Sequence, residues 1–142
     1  MRKYIPLVIA ALFLYSCSST KTTADRPLYE VLVTNNDGGA NIKFYEILSE
    51  EKEIKMLLGD ETLAKLVKPK DIKESSFLVL NAGPTKESYN RIKIEKVVET
   101  PNQVEVYLKD TQKNLDETQQ DDMTKYPYTV VKINTKKQIV FK

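Results

Sequence analysis

The chain has 142 residues, with 22 basic and 20 acidic side chains, one cysteine and no histidine. Without histidine, Ser-His-Asp and Cys-His catalysis and His-ligated zinc, copper or iron sites are excluded, and a single cysteine forbids an internal disulfide or an Fe–S cluster. The charges nearly cancel, so there is no basic footprint for nucleic acid.

Met1-Arg2-Lys3 opens the chain with two positive charges, and Ile5 to Tyr15 is almost wholly apolar apart from Pro6. Leu14-Tyr15-Ser16-Cys17 follows. It resembles a bacterial lipobox, with a large aliphatic residue at −3, a small one at −1 and cysteine at +1. Tyr15 stands where a small residue is usual. The apolar stretch is about half the ~20 residues of a spanning helix. The reading is a lipoprotein signal over residues 1–16, with Cys17 acylated and N-terminal after cleavage. Arg2 and Lys3 are then lost, and the remaining chain carries 20 basic and 20 acidic residues. Ser18-Ser19-Thr20-Lys21 holds neither the aspartate of inner-membrane retention nor an acidic surface-export signal. The outer membrane is expected, with the periplasmic face ahead of the cell surface. Residues 17–27 read as the acylated cysteine and a polar tether. Acyl chains contribute about 0.8 kcal/mol per buried methylene, so several chains anchor firmly where one binds marginally.

Residues 28–142 are long enough for one domain with its own core. Leu28 to Thr34 reads as a strand, Asn35-Asn36-Asp37-Gly38-Gly39 as a hairpin turn, and Asn41 to Leu48 as the returning strand, with Phe44, Ile47 and Leu48 also spaced to begin a helix. Ser49 is expected to cap a helix that carries Glu50 and Glu51 in its first turn. That helix places Ile54, Leu57 and Leu58 on one face and stops at Gly59. Glu61 to Lys68 reads as a second short helix, ended by Pro69.

The rest is strand-rich. Phe77 to Leu80 is a buried strand, and Asn81 to Thr85 a turn. Tyr89 to Val98 places Ile92 and Ile94 on one face. Thr100-Pro101-Asn102 turns the chain into Gln103 to Lys109, with Val104, Val106 and Leu108 facing inward. Residues 110–124 read as a long polar loop, Tyr126 to Ile133 as a strand and Gln138 to Phe141 as the last. The expected fold is α+β and mostly β: an antiparallel sandwich or barrel-like sheet of about six to seven strands with one or two covering helices.

Phe77-Leu78-Val79-Leu80-Asn81-Ala82-Gly83, Tyr89, Ile92-Lys93-Ile94-Glu95-Lys96-Val97, Val104-Glu105-Val106 and Tyr126-Pro127-Tyr128-Thr129-Val130-Val131-Lys132-Ile133 follow one another in the order and spacing of a known family. Across roughly residues 70–135 the chain resembles the C-terminal domain of the protease complex subunit PrcB family, found among flavobacterial lipoproteins. The resemblance implies a non-catalytic, protein-binding role beside a protease. The family usually has a glycine pair before the tyrosine; here Lys86-Glu87-Ser88 precedes Tyr89. A turn needing positive φ there would strain Glu87 or Ser88.

Two segments are the candidate contact sites. One is the loop from Gly83 to Tyr89, with Pro84, Thr85 and Tyr89 presented by a turn. A similar Pro-Thr loop ending in an aromatic residue serves chagasin-like protease inhibitors, which makes inhibition the alternative function. The other is Tyr126-Pro127-Tyr128, since tyrosine joins an apolar body to a polar tip. Both also read as ordinary elements, a hairpin turn and a strand start. Asp116, Glu117, Asp121 and Asp122 offer oxygen ligands of the kind calcium takes, as Asn35, Asn36 and Asp37 do more weakly. The order and glycine of an EF-hand loop are absent, so these read as solvated loops and no metal or cofactor is expected. Neither is catalysis. A third class, a small-ligand-binding lipoprotein, would need a sizeable apolar pocket.

Overall fold

The computed structural model describes residues 26–87, 92–110 and 120–142. Cys17 and Tyr89 lie outside the described residues, as do Asp116 and Glu117.

Among the described residues the fold is α+β and mostly β, with nine strands in three sheets and three short helices. The strands are β1 (Tyr29–Asn35), β2 (Lys43–Leu48), β3 (Ser76–Ala82), β4 (Thr85–Glu87), β5 (Ile92–Glu99), β6 (Gln103–Asp110), β7 (Gln120–Lys125), β8 (Tyr128–Ile133) and β9 (Gln138–Phe141). The helices α1 (Glu51–Leu57), α2 (Glu61–Leu66) and α3 (Pro69–Glu74) all lie between β2 and β3. A four-stranded antiparallel sheet runs β1-β8-β3-β2, a three-stranded sheet runs β5-β6-β9, and β4 pairs with β7.

The alternation of side chains along β3 and β8 dictates the layers. Leu78, Leu80, Val131 and Ile133 face Ile92, Val104, Val106 and Ile139 of the three-stranded sheet, forming the sandwich core. Phe77 and Val79 point the other way, toward Ile54, Leu57, Leu58, Val67 and Ile72 of the helical layer. The central strands are therefore covered on both faces, which is why Phe77 to Leu80 reads as an unbroken apolar run. Each fully buried side chain of this kind contributes roughly 1.5–3 kcal/mol.

The helix starts follow local chemistry. Glu53 accepts the backbone N–H groups of Ser49 and Glu50, both at 3.1 Å, so Glu50 rather than Ser49 is the cap of α1. Asp60 caps α2 by accepting from Thr62 and Leu63. Pro69 does not merely end the second helix; it opens a third, where its missing N–H costs nothing at the first position.

Other expectations change as well. The turn at 35–39 does not join a hairpin. β1 and β2 occupy opposite edges of the four-stranded sheet, with β8 and β3 between them. The sandwich is not wholly antiparallel, because β9 runs parallel to β6. Residues 120–124 of the expected loop belong to β7, and residues 85–87 of the expected Gly83–Tyr89 loop form β4. No described helix is long and apolar enough to cross a membrane.

Candidate interaction site

The site is built on the end of the four-stranded sheet where β1 finishes and β2 starts. Asn81, near the end of β3, is only 1% exposed. Its carboxamide accepts the N–H of Ala40 at 2.9 Å and donates to the carbonyls of Ala40 and Ile42. A side chain from the sheet thus replaces the ladder partner that residues 40–42 lack as they cross from β1 to β2. Gly39 packs directly on this group. A Cβ there would sit 2.2 Å from Asn81 Oδ1 and 2.7 Å from the Tyr126 carbonyl oxygen, so close approach, not a positive φ, demands glycine.

The crossing segment is then tied to β8. Gly39 donates its N–H to the Tyr126 carbonyl at 2.7 Å. Asp37 accepts the Tyr126 N–H at 2.9 Å, and Asn35 donates to the Tyr128 hydroxyl at 2.8 Å. Asn35 and Asp37, weighed above as calcium ligands, are bound into the fold instead. No described group of three acidic side chains is placed to hold a metal ion.

The same end carries two facing bends. Ala82 donates to the Pro127 carbonyl at 3.0 Å, and Thr85 pairs with Lys125 just beyond. Pro84 and Pro127 have no N–H to give, so the β3–β8 ladder cannot run through them. Gly83 takes φ +76° and lies against the Lys43 backbone, completing the bend. The strands re-pair beyond it as the β4–β7 ribbon.

Gly83, Pro84, Thr85, Tyr126 and Tyr128 therefore meet at one end of one sheet, although forty residues of sequence separate the two groups. Pro84 is exposed; Thr85, Tyr126 and Tyr128 are half-buried. Ile42, 62% exposed, adds an apolar side chain beside Gly83. Thr85 is not a free loop tip, because its backbone is engaged in the ribbon.

The opposite end of the sheet holds a charge network. Asp71 is fully buried. It bonds Arg26 at 2.9 Å, accepts the Lys68 N–H at 2.9 Å and lies 3.5 Å from Lys132, which also meets Glu30 at 3.0 Å. Burial disfavours the Asp71 carboxylate, but the Lys68 N–H and the charges of Lys132 and Arg26 outweigh it and hold the group below its ordinary value. Arg26 also bonds Glu74, and the Pro27 carbonyl accepts from Asn134 at 2.7 Å. Arg26 and Pro27, inside the segment expected to be tether, are thus bonded to the domain.

No family model, no curated protein and no solved structure matches the chain.

Asn81 and Gly39 were not among the candidate site residues of the sequence, and Asp37 stood there only as a weak oxygen ligand. The available signals were a polar residue closing an apolar strand, and a second glycine where a turn needs one positive φ.

Proposed function

We propose that this chain is a membrane-tethered lipoprotein, acylated at Cys17, that serves as a non-catalytic accessory subunit of an envelope protein complex. A protease complex is the reading that the PrcB-like motifs suggest. The observation that carries the proposal is the polarity of the sheet. β1 starts at Tyr29 beside Ile133, next to the point where the tether segment joins, and ends at Asn35 beside Tyr128. From Tyr29 to Asn35 the strand rises about 20 Å, at ~3.3 Å per residue step, and this separates the anchor end from the candidate site. A protein held by its N-terminus would thus carry Pro84, Tyr126 and Ile42 on the end away from the bilayer, braced by Asn81. Tethering raises the local concentration of such a surface, so a modest interface suffices.

Two surface grooves among the described residues are each about 250 Å³, under the ~300–1,000 Å³ of ordinary ligand pockets, so neither favours the small-ligand reading. One groove lies at the β1–β5 seam, lined by Tyr29, Val31, Ile92 and Ile94; the other lies beside β2.

The test is crosslinking of the full chain in its native envelope, with Cys17→Ala as the untethered control. A reproducible protein partner, lost in the control, is the expected result. Correct membrane localisation with no captured protein would overturn the accessory-subunit reading.

A further inference from the structure

A free sheet edge offers a row of unpaired N–H and C=O groups, and folded proteins usually blunt such edges with bulges, short strands or charge. Every described edge of this fold except β2 is short or breaks register. β1 shifts register between Val31 and Val33, and β5 between Ile94 and Lys96. β9 has four residues, and the β4–β7 ribbon is irregular in register. β2 alone keeps an unbroken register over six residues, from Lys43 opposite Ala82 to Leu48 opposite Phe77.

Its surroundings are those of a receptor. Ile42, 62% exposed, precedes it, and Met56, 75% exposed, overhangs its far end. Between α1 and β2 runs a groove of about 250 Å³ lined by Leu48, Met56, Leu57 and Val79, with Glu46 and Glu53 as its only charged lining groups. Glu53 is committed to the cap of α1. Glu46 is exposed and has no ion pair among the described residues. Lys43, the other charge on β2, is taken by Asp110 at 3.0 Å. The groove is thus apolar with uncompensated negative charge at its rim.

We infer that the β2 edge receives an extended segment of a partner protein as an added strand, with one apolar side chain in the groove under Met56 and a basic side chain on Glu46. Main-chain pairing supplies affinity and the groove supplies selectivity. Glu46 and Leu48 lie on the same face of β2, so the segment must carry its basic and apolar residues two positions apart. This deepens the protein-binding reading and rests on it, but uses a surface separate from the Pro84–Tyr126 end.

The test screens the full chain in detergent against short random peptides displayed on phage, then resynthesises those enriched. Enrichment of a basic residue two positions from a large apolar one is expected, together with slowed amide exchange in β2 on binding. Glu46→Lys, at an exposed position, should weaken binding roughly tenfold or more and shift preference toward acidic peptides, with an unchanged urea midpoint. Absence of enrichment, or peptides that bind without slowing β2 exchange, would overturn the proposal. If the native partner then crosslinks through Pro84 or Tyr126, the protein-binding reading survives without the β2 edge. If neither surface captures protein, both readings fail.

Discussion

Asn81 holds Ala40 from both sides, accepting its N–H and donating to its carbonyl, each at 2.9 Å. The side chain acts as a backbone surrogate for a segment that crosses the sheet end without a ladder of its own. Because Asn81 is buried, its loss strands polar groups out of reach of water. Each such group costs about 1–3 kcal/mol. Asn81→Ala should lower stability by about 2–4 kcal/mol, read as a drop in urea midpoint with little change in slope. A loss below about 1 kcal/mol would mean that the crossing segment is braced by something else.

Gly39→Ala is expected to be nearly as damaging, for a different reason. Its Cβ would collide with Asn81 Oδ1 and with the Tyr126 carbonyl, so a buried side chain and a stretch of backbone would both have to move. Overpacking of this kind costs about 1–3 kcal/mol. The double variant with Asn81→Ala should be less harmful than the sum of the two, since removing Asn81 relieves the closer clash. Additive losses in urea unfolding would place the main strain at Tyr126.

Asp71 predicts an acid limb. Its folded value lies below the unfolded one, so its contribution is complete above about pH 4 and is lost as pH falls through the folded value. Asp71→Asn should cost about 3–5 kcal/mol near neutrality, because Arg26 and the nearly buried Lys132 lose their common partner. The variant's stability should also fall less than the parent's between pH 5 and pH 2. Unfolding measured across that range checks both; parallel curves would remove Asp71 as the source.

What the sequence made legible was local. Phe77 to Leu80 could be read as buried because both faces of β3 are covered, and Gln103 to Lys109 alternated because only one face of β6 meets the core. Pairing was not legible. The glycines at 38 and 39 signalled a tight turn, but Asn81 and Tyr126, distant in sequence, pull that turn across the sheet end and away from a hairpin. β7 was hidden because its partner is the three-residue β4 rather than a core sheet, which leaves no apolar period to detect. Gly83, Pro84, Tyr126 and Tyr128 were legible as candidates, whereas their meeting at one end depends on the β3–β8 register.

The two tyrosines of the site should separate under mutation. Tyr128 packs beside Gly38 and accepts a hydrogen bond from Asn35, so Tyr128→Phe should cost about 1 kcal/mol and leave partner capture intact. Tyr126 meets the crossing segment through its backbone N–H and carbonyl, which alanine retains. Tyr126→Ala should therefore change stability by less than about 1 kcal/mol while weakening the complex. A stability loss equal to the binding loss would make Tyr126 a packing residue only.

The polarity of the sheet yields a prediction that does not depend on knowing the partner. A photo-crosslinking side chain at Pro84 sits at the end remote from Arg26, whereas one at Thr135 sits beyond Ile133, near Arg26. In intact envelopes, Pro84 should crosslink to protein and Thr135 should give lipid adducts or none. Shortening residues 18–25 should strengthen the lipid signal at Thr135 before any appears at Pro84, since the two ends differ in height by about the length of β1, roughly 20 Å. Equal lipid labelling at both positions would mean that the sheet lies along the membrane, and the argument that the candidate site faces away from it would fall.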